Sequence, residues 1–264
     1  MAKLAFIGGT GVYDPGILTE SHSEVIDTPY GCVPYTAGKV GNKDIVFMAR
    51  HGLHHTIPPH KINYRANIYA LKMLGVSSIV STTAVGSLNP SYKPGELVLV
   101  DQFIDFTKAR EHTFFDGVHR GVAHIDMTHP YCETLREAIL SAGKQLNIPI
   151  HPSGTYICTE GPRFETPAEI KAFSLLGADV VGMTNVPECQ LAREAEMCYA
   201  TISMVTNYAA GITSEILTHK EVLECMDANI GSFRKIITIL CDSYVPETDC
   251  SCHHAAQDFG GFSV

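Results

Sequence analysis

The sequence has 264 residues, of which 45% are hydrophobic, 18% charged and 8% aromatic. This composition excludes fibrous, low-complexity and disordered proteins, and a chain of this length can bury a full core without disulfides or metals. The formal net charge of −9 argues against sequence-independent binding to nucleic acid, which requires lysine and arginine to neutralise phosphates, but it allows a small anionic substrate.

Short apolar segments alternate with longer amphipathic segments along the chain, which is the pattern of an α/β domain. The predicted strands are Leu4–Ile7, Ile45–Ala49, Ser78–Thr82, Leu97–Val100, Val180–Gly182 and Thr201–Val205. The predicted helices are Ile62–Leu74, Cys132–Leu146, Pro167–Leu176, Glu188–Cys198 and Lys220–Leu240. No repeat or linker divides the chain, so we expect a single domain over residues 1–264, with residues from about 242 to 264 forming a tail.

The nine cysteines are odd in number and scattered, which favours buried thiols in a cytoplasmic protein over a secreted disulfide framework. No apolar run reaches the ~18 residues of a membrane span, and the apolar run at the N-terminus is too short for a signal peptide. The tail contains Cys250-Ser251-Cys252-His253-His254. A Cys-x-Cys pair can form a strained disulfide or bind a soft metal. The two cysteines and two histidines are too crowded for one tetrahedral site, which favours a structural tail, and no metal is expected.

Polar and glycine-rich segments follow several predicted strands, and ligands of α/β sheets bind at such strand ends. Gly8-Gly9-Thr10-Gly11 is either a phosphate cradle or a tight turn, and a third glycine of a dinucleotide-binding fingerprint is missing at Asp14. Arg50 suits oxyanion recognition, although a lone arginine is more often part of a surface ion pair. The histidines around His51 lie in a Pro-containing loop without the spacing of a zinc site.

Two further groups of residues have a different chemistry. Thr82-Thr83-Ala84-Val85-Gly86-Ser87 and Thr184 offer hydroxyls and amides, which together with Arg50 suit a tetrahedral anion. The ring of Phe164 can stack on a flat ligand or pack in the core. Glu165 can accept ring N–H donors or provide charge at a helix N-terminus, and the amide of Asn207 matches a ring with a carbonyl beside a nitrogen.

Across nearly its whole length the sequence resembles the trimeric purine nucleoside phosphorylase and methylthioadenosine phosphorylase family. The segments that carry the resemblance are Gly8-Gly9-Thr10-Gly11, Arg50-His51-Gly52, Thr83-Ala84-Val85-Gly86-Ser87, Glu160-Gly161-Pro162-Arg163-Phe164 and Gly182-Met183-Thr184-Asn185-Val186-Pro187-Glu188. The resemblance implies a single α/β domain whose central mixed sheet partly closes into a barrel. It also implies phosphorolysis, in which phosphate attacks the sugar C1′ and the purine leaves, without a metal or organic cofactor.

The resemblance also assigns roles to individual residues. Positions that match phosphate-binding residues of the family are Thr10, Arg50, His51, Thr83, Ala84 and Thr184. Met183 matches a residue under the ribose, and Phe164 matches the aromatic wall of the base pocket. His124 matches a residue that a neighbouring subunit contributes to the sugar, so the resemblance implies a homo-oligomer, either a trimer or a dimer of trimers.

Three positions indicate the substrate within this family. Asn207 stands where methylthioadenosine phosphorylases have Asp, Glu165 stands where they have a small hydroxyl residue, and His219 stands where they have an apolar residue. All three resemble the 6-oxopurine enzymes, so we expect phosphorolysis of inosine and guanosine in purine salvage, with Asn207, Glu165 and His51 as catalytic residues. Asn185 departs from the Thr of many relatives.

Four other functions remain open at this point, and the last two are a metal-binding hydrolase built on the histidine-rich loop and a non-catalytic purine-binding module. The first is a phosphorylase of S-methyl-5′-thioinosine or S-methyl-5′-thioadenosine, which would be favoured if His219 did not reach the sugar. The second is a nucleotide-binding oxidoreductase that uses the first glycine cluster, but this function would leave Arg50, Phe164 and Asn207 unexplained.

Overall fold

The structure is a computed structural model that describes residues 3–8, 17–52, 54–118, 120–213 and 219–264, with only the backbone for 219–223, 227 and 228. Eleven strands form one mixed sheet. They are β1 Lys3–Gly8, β2 Thr19–Thr28, β3 Gly31–Val40, β4 Lys43–Ala49, β5 Val76–Ser87, β6 Leu97–Leu99, β7 Gln102–Phe106, β8 Ile150–His151, β9 Thr155–Thr159, β10 Val180–Gly182 and β11 Cys198–Tyr208. The helices are α1 Tyr64–Met73, α2 Glu133–Gln145, α3 Pro167–Leu175, α4 Asn185–Glu194 and α5 His219–Ser243.

The central strands are apolar and covered on both faces, as expected for parallel strands between layers of helices. Alternate residues of β1 point to opposite sides, so Ala5 and Ile7 join a core with α1 and α4, whereas Leu4 and Phe6 join a core with α2 and α5. The predicted α/β domain with a mixed sheet between helices is therefore confirmed.

Strand β5 is the branch point of the sheet. It pairs in parallel with β1 and with β11, and its last two residues pair antiparallel with β10. From β11 the pairing continues to β6 and β8, and from β10 it continues to β9 and β7. The two branches end at β8 and at β7, and within the described residues no pairing between these two strands closes the sheet into a continuous barrel.

All predicted strands are present, and the structure adds β2, β3, β7, β8 and β9. The predicted helix Glu188–Cys198 is wrong at its end, because the helix stops at Glu194 and Cys198 is the first residue of β11. Glu196 has a φ of +55°, a left-handed conformation that a helix cannot continue through.

The segment after α5 packs back onto the domain. Cys250 and Cys252 are buried, and the ring of Phe262 lies 5.0 Å from that of Phe114 and 6.0 Å from that of Tyr69. Arg120 lies over Phe262 and donates to the carbonyl of Ser263, so the chain end holds the long loop between β7 and α2. Within the described residues no helix has the length and apolar character needed to cross a bilayer.

Candidate active site

A cavity of about 560 Å³ opens beyond the C-terminal ends of β4, β9 and β10. The last residues of β5 and β11 also line it. This location matches the rule that ligands of α/β sheets bind beyond strand ends. Most of the predicted site residues line the cavity, namely Arg50, His51, Thr83, Ala84, Phe164, Glu165, Met183, Thr184 and Asn207. The structure therefore brings together residues that are separated by up to 157 positions in the sequence (50 to 207).

Three predicted residues are not among those that line it. Thr10 lies outside the described residues, and so does the side chain of His219, whose backbone begins α5. His124 is exposed on the loop between β7 and α2 and does not line the cavity of its own chain.

Arg50 is not a surface arginine, because its side chain is 1% exposed and forms an ion pair with the fully buried Glu188. Nε donates to Oε2 of Glu188 at 2.7 Å, and Nη2 donates to Oε1 at 2.8 Å. This two-point geometry fixes the plane of the guanidinium. Glu188 also accepts hydrogen bonds from Ser81 Oγ and from the Tyr199 hydroxyl, both at 2.8 Å.

The remaining donors of Arg50 are almost fully used. Nη2 donates to Ser81 Oγ at 2.6 Å, and Nη1 donates to the carbonyl of Thr82 at 3.1 Å. A guanidinium has five N–H groups, so within the described part of the chain these contacts leave one N–H of Nη1 for a ligand in the cavity that Arg50 lines. Arg50 thus offers a fixed cation with one directed donor.

Two threonine hydroxyls face the same part of the cavity. Thr83 Oγ1 lies 2.8 Å from Ser203 Oγ, which orients it from behind. Thr184 precedes α4 but its side chain does not cap that helix, and the amide of Thr184 donates to the Tyr156 hydroxyl at 3.4 Å. Both threonines are 7% exposed, so they are held in place before any ligand binds.

His51 is neutral at neutral pH. Burial and the adjacent charge of Arg50 lower its pKa to about 4, and its Nδ1 lies 2.8 Å from the carbonyl of Ile57. A carbonyl only accepts hydrogen bonds, so Nδ1 carries the proton and Nε2 has a free lone pair. Its ring also lies 4.3 Å from that of His55, another residue of the cavity wall.

Asn207 is placed by an irregularity in β11. Val205 pairs with Val85 and Asn207 pairs with Gly86, so Thr206 is the extra residue of a β-bulge. The Asn207 Oδ1 accepts from Thr206 Oγ1 at 2.7 Å, and Nδ2 donates to the carbonyl of Tyr208 at 2.8 Å. At Gly86 a Cβ would lie 3.2 Å from Asn207 Nδ2, so glycine gives the amide its space.

Glu165 and Phe164 line the same cavity as Asn207. The carboxylate of Glu165 accepts from Thr159 Oγ1 at 2.7 Å, and burial raises its pKa above the ordinary value. Phe164 is 42% exposed, so its ring keeps a free face at the mouth of the cavity and is not a core residue. The sequence offered a charge at a helix N-terminus as the alternative role of Glu165. Glu169 has that role instead, because it forms a capping box with Thr166 at the start of α3.

The cavity also has an apolar part formed by Met183 and by Met204, Met226 and Phe233. Met183 needs the glycine at 161, because a Cβ there would lie 2.6 Å from the Met183 sulfur and Gly161 has a φ of +68°. Two of the apolar residues, Met226 and Phe233, belong to α5, which therefore covers one end of the cavity.

Sequence reasoning missed the residues that hold the site from behind, chiefly Ser81, Glu188 and Ser203. Glu188 had one available signal: a carboxylate in an apolar helix, Val186-Pro187-Glu188-Cys189, needs a buried cation as partner. Ser81 and Ser203 had none, since a serine within an apolar strand is compatible with many environments.

Residues 3–241 match the Phosphorylase superfamily. The chain is 54% identical over 257 residues to a protein of Dictyoglomus turgidum named "Probable 6-oxopurine nucleoside phosphorylase", covering 97% of each. It is also 51% identical over 259 residues to the S-methyl-5′-thioadenosine phosphorylase of Saccharolobus solfataricus, covering 95% of this chain and 94% of that protein.

Solved structures agree with this relationship. Methylthioadenosine phosphorylase from Schistosoma mansoni in complex with adenine superposes with a TM-score of 0.92 at 33% identity, covering 98% of this chain and 97% of that one. The expected resemblance is confirmed, and the oxidoreductase alternative is not supported. The chain belongs to the Phosphorylase superfamily.

Proposed function

We propose that this enzyme is a 6-oxopurine nucleoside phosphorylase, which converts inosine or guanosine and phosphate into the free base and ribose 1-phosphate. Sequence identity alone does not select the substrate, because it is 54% and 51% to relatives of the two substrate classes. The observation that carries the proposal is the fixed orientation of the Asn207 amide.

The carbonyl of Tyr208 can only accept a hydrogen bond, so the NH2 group of Asn207 must face it and Oδ1 must face Thr206. One N–H and one lone pair of the amide then remain for a ligand. The N–H matches O6 of hypoxanthine or guanine, and the lone pair matches N7 once that nitrogen is protonated. Adenine, with an amino group at position 6, would need the reversed amide and would set Oδ1 against the Tyr208 carbonyl.

Glu165 supports the same choice of base. Its carboxylate already accepts from Thr159 and can accept a second bond from the N1–H of a 6-oxopurine. Adenine has no hydrogen on N1, so the carboxylate would face a lone pair. A buried polar group without its partner costs about 1–3 kcal/mol, which is enough for substantial discrimination. Phe164 would stack on the base.

The phosphate end of the cavity holds the nucleophile. We assign phosphate binding to Thr10, Arg50, His51, Thr83, Ala84 and Thr184, in which Arg50 gives charge and direction. The neutral His51 presents Nε2 as an acceptor for a phosphate O–H. Arg50, Thr83 and Thr184 are already buried in place without a ligand, so we expect them to contribute by positioning and electrostatics.

The reaction then follows from these contacts. A phosphate oxygen forms a bond to C1′ as the C1′–N9 bond breaks, and the bonding electron pair leaves with the purine. Asn207 stabilises the charge that develops on the base and accepts from N7–H as that nitrogen takes a proton. The reaction requires no metal or organic cofactor.

The sugar is assigned to Met183 beneath the ribose and to His219, which would bond the 5′-hydroxyl. His124 would come from a neighbouring subunit of a trimer or of a dimer of trimers. Its exposure, away from the cavity of its own chain, supports this assignment. A cytoplasmic location remains a prediction of the sequence.

A specific observation favours a second candidate, phosphorolysis of S-methyl-5′-thioinosine or S-methyl-5′-thioadenosine. Met204, Met226 and Phe233 form an apolar end of the cavity, and such a surface suits a methylthio group better than a hydroxyl. The second candidate therefore depends on whether His219 or this apolar surface meets the 5′ substituent.

The test is phosphorolysis of inosine, guanosine, adenosine, S-methyl-5′-thioinosine and S-methyl-5′-thioadenosine, each with and without phosphate. We expect phosphate-dependent turnover of inosine and guanosine, with a much lower kcat/KM for adenosine. Preference for the methylthio nucleosides would reject the assignment of the sugar end, and preference for adenosine would reject that of the base end. Sedimentation equilibrium of the same sample measures the number of subunits.

A further inference from the structure

Four cysteines far from one another in sequence meet in the interior. Cys132 precedes α2, Cys198 begins β11, and Cys250 and Cys252 lie in the tail after α5. They are 2%, 1%, 8% and 3% exposed. We call these residues the four-cysteine cluster; none of them lines the catalytic cavity.

The sulfur atoms are spaced as the ligands of one metal ion. All four lie within 4.8 Å of one another, and those of Cys132 and Cys250 are 3.7 Å apart. Zinc bound tetrahedrally at about 2.3 Å per Zn–S bond separates its sulfurs by roughly 3.8 Å. The longest of these separations, at most 4.8 Å, would shorten by up to about 1 Å when the ion binds.

The surroundings of the cluster suit a negative charge. Arg193, 8% exposed, donates from Nη1 to the Cys252 sulfur at 3.2 Å. Within the described residues the buried Nε of Arg193 has no hydrogen-bond partner, and the carboxylate that its charge influences, Asp126, is exposed at the surface and has its pKa lowered chiefly by hydrogen bonds from Thr128. A buried guanidinium needs a counter-charge, which neutral thiols do not provide.

His253 lies beside the four-cysteine cluster and contacts one of its cysteines. Its Nε2 lies 3.8 Å from the Cys198 sulfur and its Nδ1 lies 3.1 Å from the carbonyl of Glu196. His253 therefore contacts a cysteine instead of occupying a ligand position, and His254 faces Asp249 at 3.5 Å. The histidines of the tail are not needed as ligands, because Cys132 and Cys198 provide the sulfurs that the local sequence lacks.

We propose that the four-cysteine cluster binds one zinc ion, or another soft divalent ion of tetrahedral preference, at a structural site. This proposal replaces the sequence expectation of no metal, which considered only the crowded residues of the tail. Four thiolates and Zn²⁺ carry a net charge of −2, which Arg193 partly neutralises. Four coordinated sulfurs leave no open position, so the ion takes no part in phosphorolysis.

Binding joins three separate segments of the chain. The tail, the start of α2 and the start of β11 would share one ion, and the tail in turn packs through Phe262 on Tyr69 and Phe114. Because such a site does not exist in the unfolded chain, metal binding is coupled to folding. We therefore expect zinc to raise the Tm and a chelator to lower it.

The test uses the full-length protein, purified without oxygen and with a reductant. Elemental analysis is expected to give one zinc per chain, and replacement by Co²⁺ is expected to give the intense visible absorption of a tetrahedral thiolate site. Cys198→Ala and Cys252→Ala should each lose the bound metal and the Tm shift with zinc. Cys241→Ala is the matched control, since Cys241 is equally buried but outside the cluster.

The elemental analysis and the cobalt spectrum are measured on the wild-type protein, so an unfolded variant would not obscure the answer. Absence of the cobalt thiolate spectrum from fully reduced protein would overturn the proposal. So would a mass that shows two disulfides among these cysteines in protein taken from a reducing cytoplasm, or retention of zinc by both variants.

Discussion

The two ends of the cavity to which we assign phosphate and base, called here the phosphate end and the base end, differ in how their side chains are held. At the phosphate end Arg50 is 1% exposed in its side chain and Thr83 and Thr184 are 7% exposed, and each rests on the sheet. At the base end Phe164 is 42% exposed, and Glu165 and Asn207 are half-buried on a loop and on a bulge. Phosphate is common to all reactions of such an enzyme, whereas the base varies.

From this difference we expect substitutions to be tolerated better at the end with Phe164, Glu165 and Asn207 than at the end with Arg50. Residues at the phosphate end are part of the core, so replacing them disturbs the fold as well as the chemistry. Residues at the base end are more exposed, so we expect their replacement to leave the sheet intact. Relatives of two substrate classes, at 54% and 51% identity to this chain, are consistent with this separation.

The largest effect is expected at Glu188. Glu188→Gln removes the counter-charge of buried Arg50, and breaking a buried ion pair costs about 3–5 kcal/mol. The free energy of unfolding, measured in urea, should fall by that amount. Glu20→Gln is the control, because Glu20 pairs with Lys39 at 2.6 Å but is 69% exposed, and surface pairs contribute about 0–1 kcal/mol. Equal losses in the two variants would contradict the comparison.

A change of substrate preference is expected at Asn207. Asn207→Asp removes the N–H that we assign to O6, so kcat/KM for inosine should fall about 10- to 100-fold while the ratio of adenosine to inosine rises. The KM for phosphate should not change. Thr83→Val is the complementary variant at the phosphate end, and it should raise the KM for phosphate without altering the ratio. A shift of the ratio in Thr83→Val would show that the two ends are not separate.

Glu165→Gln should separate activity from stability. Loss of the carboxylate that accepts from N1–H should lower kcat/KM for inosine about 10- to 100-fold. Burial raises the pKa of Glu165, so between its ordinary pKa and this raised value the folded protein binds the proton more tightly than the unfolded chain. The free energy of unfolding therefore falls as pH rises through that window.

At pH 7 the ionised Glu165 carboxylate consequently costs stability, and Glu165→Gln should be more stable than the wild type. Below the ordinary pKa of glutamate, Glu165 is protonated in both the folded and the unfolded protein. The free energies of unfolding of the wild type and of Glu165→Gln should therefore no longer differ because of this site. In the wild type the acid limb of kcat/KM should lie above the pH typical of a glutamate, and the variant should lack it. A variant that is less stable at pH 7 would argue against the desolvation of Glu165.

The smallest effect is expected at Phe164. Phe164→Ala removes one stacking face, worth about 0.5–1.5 kcal/mol, and should raise the KM for inosine about 2- to 10-fold. Phe106→Ala is a control of the same exposure, 43% against 42%, whose ring packs on Phe173 outside the cavity. An equal change in both variants would indicate a general effect on folding.

The sequence was sufficient to predict the central strands, and most of the site residues that it indicated line the cavity. These features depend on local pattern, such as the apolar run that ends at Ala49 immediately before Arg50. The β2 strand was missed because its residues are almost all exposed and show no apolar alternation. An exposed strand of this kind exists only because β3 pairs with it.

Contacts between distant segments were beyond sequence reasoning. Arg50 and Glu188 are separated by 138 positions, and no local pattern records that a strand end and a helix will meet. The bulge at Thr206 is similar, because an extra residue becomes visible only against the register of the neighbouring strand β5. The four-cysteine cluster could not be predicted either, because its members come together only through the path of the whole chain.

The branching of the sheet at β5 affects how the protein opens. Its amides and carbonyls are shared with β1, β11 and β10, so no partial fraying of an edge releases this strand. Amide hydrogens of β5 should therefore exchange with solvent only through global unfolding, as the slowest in the molecule. Thr83 and Ala84 lie on this strand, so the part of the site to which we assign phosphate should keep its shape through every opening smaller than global unfolding.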